Sequence, residues 1–355
     1  MKLLLCSMML FAATGTVSAG QILNGQVFAA TYSDAAELDA AGCGAGTVGL
    51  IHPETGRWNA SSCIKVDWAD DAETASVIDG DMVLAYVTPG DGSDTFIAKV
   101  DFGAMTVATS IVGGDQGNLR CTPRGKCYGV LPGSSKTDPT ALIEVDGRTG
   151  DSKSALTLKK YDGSSVDGAA VDPVNDMYHA VLVGKVHTVP NVSAVLHPRP
   201  GRTQRQRCAG ARPCAGAGLR EGEGADKSNQ WLVTIDLSTM KVVSEQPVGM
   251  YFMGPFAYSK SRGLLTFGSD AYDGLAAVDW RTAKQSPVGV HGGSFGTVYQ
   301  FSAAFSASEA YAVSLFPHPT RFFAVDVSGA ATADADVRGN NTFASSVHAL
   351  AAAWE

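Results

Sequence analysis

Matching the Ala-rich apolar strands that recur along the chain brings five residues to one position, Asn118, Asp167, Met253, Gln300 and His348, each near a strand's start. An acid, a histidine and two amides meeting in one pocket could bind a ligand, hold a metal such as calcium, or work as acid and base. The plainer expectation is that they hydrogen-bond one another and enclosed water. Tyr251, Phe252, His291, Phe295 and Tyr299 lie in the segments leading into these strands. Exposed on one rim they would suit sugars or peptides, and buried they would pack a core. Other chemistry is scarce. No His-Glu-x-x-His pair or phosphate-binding Gly-Lys-Ser/Thr loop occurs. Gly90-Asp91-Gly92-Ser93-Asp94 gathers two carboxylates and a hydroxyl. Calcium asks for six or more oxygens, so a hairpin turn is expected there. The cluster Asp67, Asp70, Asp71 and Glu73 is expected to be a solvated loop.

The elements that would position these residues are short strands. Apolar runs ending in aspartate recur as Phe96 to Asp101, Leu142 to Asp146, Leu232 to Asp236, Leu275 to Asp279 and Phe322 to Asp326. Val48 to Gly56 is an earlier, degenerate copy, with His52 in the aspartate's place. The successive spacings are 49, 45, 90, 43 and 47 residues. Each copy reads strand, polar turn, strand, loop, strand ending in Asp, turn, strand. Four strands in about 45 residues is the pattern of a propeller blade. The aspartate's expected work is local, accepting backbone N–H bonds in the next turn. The 40 glycines among 355 residues fit a chain of many tight turns.

The doubled spacing marks an insert at about 184–228. It carries eight Lys/Arg against three acidic residues, on a chain whose net charge is −8, and no Phe, Tyr or Trp. Without aromatic residues it builds no core of its own. One reading is a basic tongue for anionic glycans or an acidic partner; the other is a neutral insertion or a translated intron. Without the insert the motif count gives six blades. The C-terminal strand near Ser346 to Ala353 is expected to complete the first blade and close the ring. A seven-bladed, C-terminally truncated ring is the alternative.

Residues 1–19 read as a signal peptide, with Lys2, an apolar run from Leu3 to Ala13, and Val17-Ser18-Ala19 before the cut. Residues 20–355 then form one domain, secreted, with no membrane span. Past Cys6 the cysteines number six. The five-residue spacings suggest Cys121–Cys127 and Cys208–Cys214 bonds, and elimination pairs Cys43 with Cys63. Asn59, Asn191 and Asn340 head N-x-S/T sequons and are candidate glycan sites. The acidic balance argues against nucleic acid as a partner.

The blade pattern resembles the broad class of TolB-like, NHL and YVTN repeat propellers, over nearly the whole mature chain outside the insert. The resemblance is architectural: no WD dipeptide closes each blade, and no YWTD motif occurs. It implies an all-β fold with a ligand-binding face at a central channel, and no particular activity. The expectation is therefore a non-enzymatic propeller, without cofactor, that binds a protein, glycan or small ligand at the channel mouth. The alternative is a propeller hydrolase or lactonase with a divalent metal on the axis.

Overall fold

The structure, a computed structural model, describes residues 27–32, 46–51, 59–78, 82–112, 117–133, 139–161, 164–183, 230–248, 256–259, 261–269, 272–287, 301–305, 310–315, 320–326, 337–343 and 346–352. The expected signal peptide, the insert, Cys43, Cys208, Cys214 and Asn191 lie outside the described residues.

The all-β propeller expectation holds. The strands form six four-stranded antiparallel sheets. The first sheet joins β1 (Val27–Tyr32), β2 (Thr47–Ile51) and β3 (Ile64–Lys65) to the C-terminal strand β24 (Ser346–Ala352). The second holds β4 (Ala72–Ile78), β5 (Met82–Val87), β6 (Phe96–Asp101) and β7 (Thr106–Ile111). In the third are β8 (Gly117–Cys121), β9 (Lys126–Leu131), β10 (Ala141–Asp146) and β11 (Ser152–Thr157). β12 (Ser165–Asp172), β13 (Met177–Val183), β14 (Gln230–Asp236) and β15 (Lys241–Pro247) make the fourth. The fifth is β16 (Phe256–Ser259), β17 (Gly263–Ser269), β18 (Tyr272–Asp279) and β19 (Lys284–Pro287). The sixth is β20 (Phe301–Phe305), β21 (Ala310–Leu315), β22 (Thr320–Asp326) and β23 (Val337–Phe343).

One strand of each sheet lies against its counterpart in the next, in the circuit β24, β4, β8, β12, β16, β20 and back to β24. β24 pairs antiparallel with β1, from Val27 opposite Ala352 to Tyr32 opposite Ser346. The last strand therefore completes the first sheet, as expected. It covers an edge of β1 that would otherwise be open to pairing.

Burial follows the sheet interfaces. Phe28, Val48 and Leu50 of the first sheet pack with Val77, Val83 and Val100 of the second. Ile78 and Leu84 meet Val145 and Cys127 between the second and third. Tyr128, Leu142, Tyr178 and Val233 fill the space between the third and fourth. Val181 and Leu232 meet Phe256 and Leu264 between the fourth and fifth. Strands sandwiched on both faces need apolar or small residues on both, which explains runs such as MVLAYV in β5. The helical elements described are single 3-10 turns at Ala60–Ser62, Ala69–Asp71 and Lys159–Tyr161.

The recurring aspartates do local work. Asp101 Oδ1 accepts Ala104 N at 2.9 Å, and Asp146 Oδ1 accepts Arg148 N at 2.8 Å. Asp236 Oδ1 accepts Ser238 N, Ser238 Oγ and Thr239 N, and Asp279 accepts Arg281 N and Thr282 Oγ1. Four residues past each aspartate the backbone turns left-handed, at Met105, Gly150, Met240 and Ala283. Only the second copy uses glycine, the residue that adopts this conformation freely. Met105, with φ 53° and 41% exposure, has little packing to lose. Met105→Gly should raise stability by about 0.5–1 kcal/mol, the left-handed penalty less glycine's entropic cost, as checked by denaturant titration.

Cys121 and Cys127 face each other across the β8–β9 hairpin and are bonded, with Cα atoms 3.8 Å apart. Cys63 is also disulfide-bonded. Asp67, Asp70 and Glu73 are solvated as expected, but the segment 67–73 is not all loop. Ala69–Asp71 is a 3-10 turn, Asp71 Oδ1 accepts Gly90 N at 3.2 Å, and Glu73 lies within β4. The Gly90–Asp94 segment is a turn, as expected: Asp91 Oδ1 accepts Ser93 N and Ser93 Oγ, and these bonds hold its carboxyl below the usual range.

Candidate functional site

The innermost strands of the second, third and fourth sheets are tied directly to one another. Thr74 Oγ1 donates to Leu119 O at 2.7 Å, and Cys121 N donates to Ser76 Oγ at 3.0 Å. Asn118 Nδ2 donates to Val166 O at 3.0 Å, and Arg120 Nε donates to Ala169 O at 2.9 Å. Partners advance together along each pair, so β4, β8 and β12 run parallel. Glu73, Asn118 and Asp167 consequently stand at one level.

At that level the strands are bulged. Ala72 and Thr74 oppose Val87 and Tyr86, leaving Glu73 as the extra residue of β4. In β12, Val166 and Gly168 oppose Leu182 and Val181, so Asp167 is extra. β8 slips between Gly117 and Arg120, and Asn118 there has φ 56°. β24 slips where Ala30 and Thr31 face Ala349 and Val347, leaving His348 unopposed. A bulge removes one residue from the ladder and re-aims its side chain, a device common beside binding sites. Of the five residues expected from sequence, Asn118, Asp167 and His348 thus occupy equivalent bulges. Met253 and Gln300 lie outside the described residues, as do the rim residues Tyr251, Phe252, His291, Phe295 and Tyr299, and of His348 only the backbone is described.

Four further residues belong to this region. Gln230, buried at the start of β14, donates from Nε2 to Asp167 Oδ2 at 3.2 Å. Glu73 occupies the bulge of β4, and its place was legible in Ala72-Glu73-Thr74-Ala75, a small-residue strand 45 positions before Asn118. Arg120 reaches the backbone of β12, and burial pushes its guanidinium down to about 10, opposed by the charges of Tyr178 and Glu73. It stays cationic at neutral pH. Tyr178 OH donates to Asn118 O at 3.4 Å, and burial raises that phenol well above its ordinary value. Solvent reaches Asp167, yet the protein around it desolvates the carboxyl and raises its pKa.

Such a rim offers acceptors at Glu73 and Asp167 with a held amide beside the latter. Among the described residues no group of three His, Cys, Asp or Glu side chains is close enough to hold a metal ion.

No protein-family model matches the chain, and no curated relative does. Solved structures with a similar fold include hydrazine synthase of Kuenenia stuttgartiensis, at 12% identity and TM-score 0.44, covering 79% of this chain and 71% of that one. TolB from Acinetobacter baumannii is similar at 11% identity and TM-score 0.33, covering 85% of this chain and 51% of its own. A Dos1 propeller structure is similar at 12% identity and TM-score 0.39, with 84% and 64% covered. This chain therefore spans about half the length of that TolB chain. The likeness is one of fold alone.

Proposed function

We propose that the chain is a secreted, six-bladed, non-enzymatic propeller that binds a partner, a glycan or a small ligand at the channel mouth, with no cofactor. The observation that carries this reading is the shared level of bulged inner strands at Glu73, Asn118, Asp167 and His348. Bulges recur at the matching position of four copies, and a bulge commonly re-aims a side chain beside a binding site. Carboxylates and amides in that setting suit a ligand rich in hydroxyl or N–H donors. No helix among the described residues is long and apolar enough to cross a membrane.

The test uses Asp167→Asn, which keeps an acceptor for Gln230 and removes the charge. Purified protein is screened against an array of oligosaccharides and short peptides. At least one class should bind, and the variant should bind it at least tenfold more weakly with unchanged thermal unfolding. Equal binding by both proteins would overturn the site. Turnover of lactone substrates, together with a stoichiometric divalent ion in the purified protein, would overturn the non-enzymatic reading in favour of a metal-dependent hydrolase.

A further inference from the structure

A cavity of about 630 Å³ opens between the third and fourth sheets, past the C-terminal ends of β8 and β12 and so away from the bulges. Its size falls within the range of small-molecule sites. Three turns frame it: Thr122 to Lys126 between β8 and β9, Pro173 to Asp176 between β12 and β13, and Leu237-Ser238 after β14. Each is fixed in place. The Cys121–Cys127 bond clamps the first. Asp172 accepts Val174 N, Asn175 N and Asn175 Nδ2 in the second, and Leu237 N donates to Asp176 O at 2.8 Å to join the third.

Most polar groups on this wall are already engaged. Thr122 Oγ1 donates to Lys126 O, and Ser238 Oγ donates to Asp236 Oδ1. Lys126 lies 3.5 Å from Glu144, which Lys153 also holds at 3.1 Å. Three groups remain. Arg124 and Asp176 are exposed, line the same space, and pair neither with each other nor with any other described residue. Tyr128 is 3% exposed, lines the cavity, and its hydroxyl has no hydrogen-bond partner among the described residues. The ring is packed while the hydroxyl opens on the cavity, where it can donate to a molecule held there. Burial first, and then the charges of Glu144 and Asp176, push that phenol up to about 12, so it stays a donor at neutral pH. Val174, Leu237 and Pro173 supply an apolar wall.

We infer that this cavity binds a small zwitterion of the α-amino-acid type with an apolar side chain. Its carboxylate meets Arg124, its ammonium meets Asp176, the Tyr128 hydroxyl donates to the carboxylate, and the side chain rests on the apolar wall. A monoanion would leave Asp176 facing it, and a monocation would meet Arg124. Only a ligand carrying both charges answers both groups.

Calorimetric titration of the full chain with L-leucine, L-phenylalanine, N-acetyl-L-leucine and L-leucinamide tests this. Leucine or phenylalanine should bind saturably at one site. The acetyl derivative, which lacks the ammonium, and the amide, which lacks the carboxylate, should bind at least tenfold more weakly. Arg124→Gln should erase discrimination against the amide, and Asp176→Asn, which keeps a residue at ease in the left-handed conformation, discrimination against the acetyl derivative. Asp167→Asn at the channel mouth should leave amino-acid binding unchanged. Absence of saturable binding across the panel, or affinities unmoved by both cavity substitutions, would overturn the assignment.

Discussion

Between pH 6.5 and pH 4 the fold should lose about 3 kcal/mol through one side chain, His179. It sits in β13 at 0% exposure, between the fourth and fifth sheets. Nδ1 lies 3.0 Å from Thr234 Oγ1, and the ring centroid is 6.0 Å from that of Trp280. Among the described residues Nε2 has no hydrogen-bond partner, so none of them stabilises an added proton there. Burial pushes the imidazole from 6.5 down to about 4, against a smaller upward pull from the Asp172 carboxylate. The unfolded chain takes up this proton near pH 6.5 while the folded chain refuses it until about 4. Across that window the unfolded state binds more protons, so stability is complete above it and falls as pH drops through it. Two to three units at about 1.4 kcal/mol each give the estimate.

Carboxylates complicate the raw curve. Asp236 and Asp279 are held below the usual range, chiefly by the Ser238 and Thr282 hydroxyls, and they lose their contribution in more acid solution. The informative quantity is therefore the difference between wild type and His179→Gln in denaturant titrations from pH 8 to pH 4. Glutamine keeps a partner for Thr234 and cannot titrate. The variant should be less stable at pH 7 and lose the steep part of the slope. Parallel curves would show that His179 does not carry the effect.

The sequence showed most where chemistry is local. Asp101, Asp146, Asp236 and Asp279 could be recognised as turn-makers because their partners lie two or three residues onward. Closure by the C-terminal strand was legible too, since β1 lacked one neighbour and β24 carried a strand's pattern with none following. The level of Asn118 and Asp167 followed from copy matching, because the bonds joining β8 to β12 respect nearly the same offset. The bulges left no comparable mark: an extra residue shows only against a partner strand's register. Glu73 had a legible mark in its small-residue flanks, 45 positions before Asn118, but its acidic neighbours Asp67, Asp70 and Asp71 drew the reading toward a loop. Gln230 was beyond reach, because its contact with Asp167 spans 63 residues and the whole insert. The cavity beside Tyr128 is likewise assembled from three turns of two sheets, none distinctive alone.

The second large effect concerns Gly147, a position where space rather than backbone angle demands glycine. It follows Asp146 in the β10–β11 turn and donates its N–H to Gly125 O at 2.9 Å, linking two turns of the third sheet. A methyl group there would lie 2.2 Å from Leu84 Cδ1, 2.9 Å from Gly125 O and 3.1 Å from Cys127 Sγ. None of the three can yield cheaply. Leu84 is 2% exposed within the interface of the second and third sheets, Cys127 is tied to Cys121, and the carbonyl belongs to the bond that positions the turn. Gly147→Ala should therefore cost about 3 kcal/mol, the upper part of the range for overpacking a closed site. Gly92→Ala is the contrasting case, with φ +80° and nothing within 4 Å of the added methyl. Its cost should be only the left-handed penalty, about 1–2 kcal/mol. Pairing Gly147→Ala with Leu84→Ala separates sterics from turn chemistry. If the clash with Leu84 dominates, the double variant should be more stable than the two single losses predict, by about 1 kcal/mol or more. Simple additivity would place the strain in the Gly147–Gly125 link instead, and a Gly147→Ala loss no greater than that of Gly92→Ala would show that the sheets part to admit a methyl group.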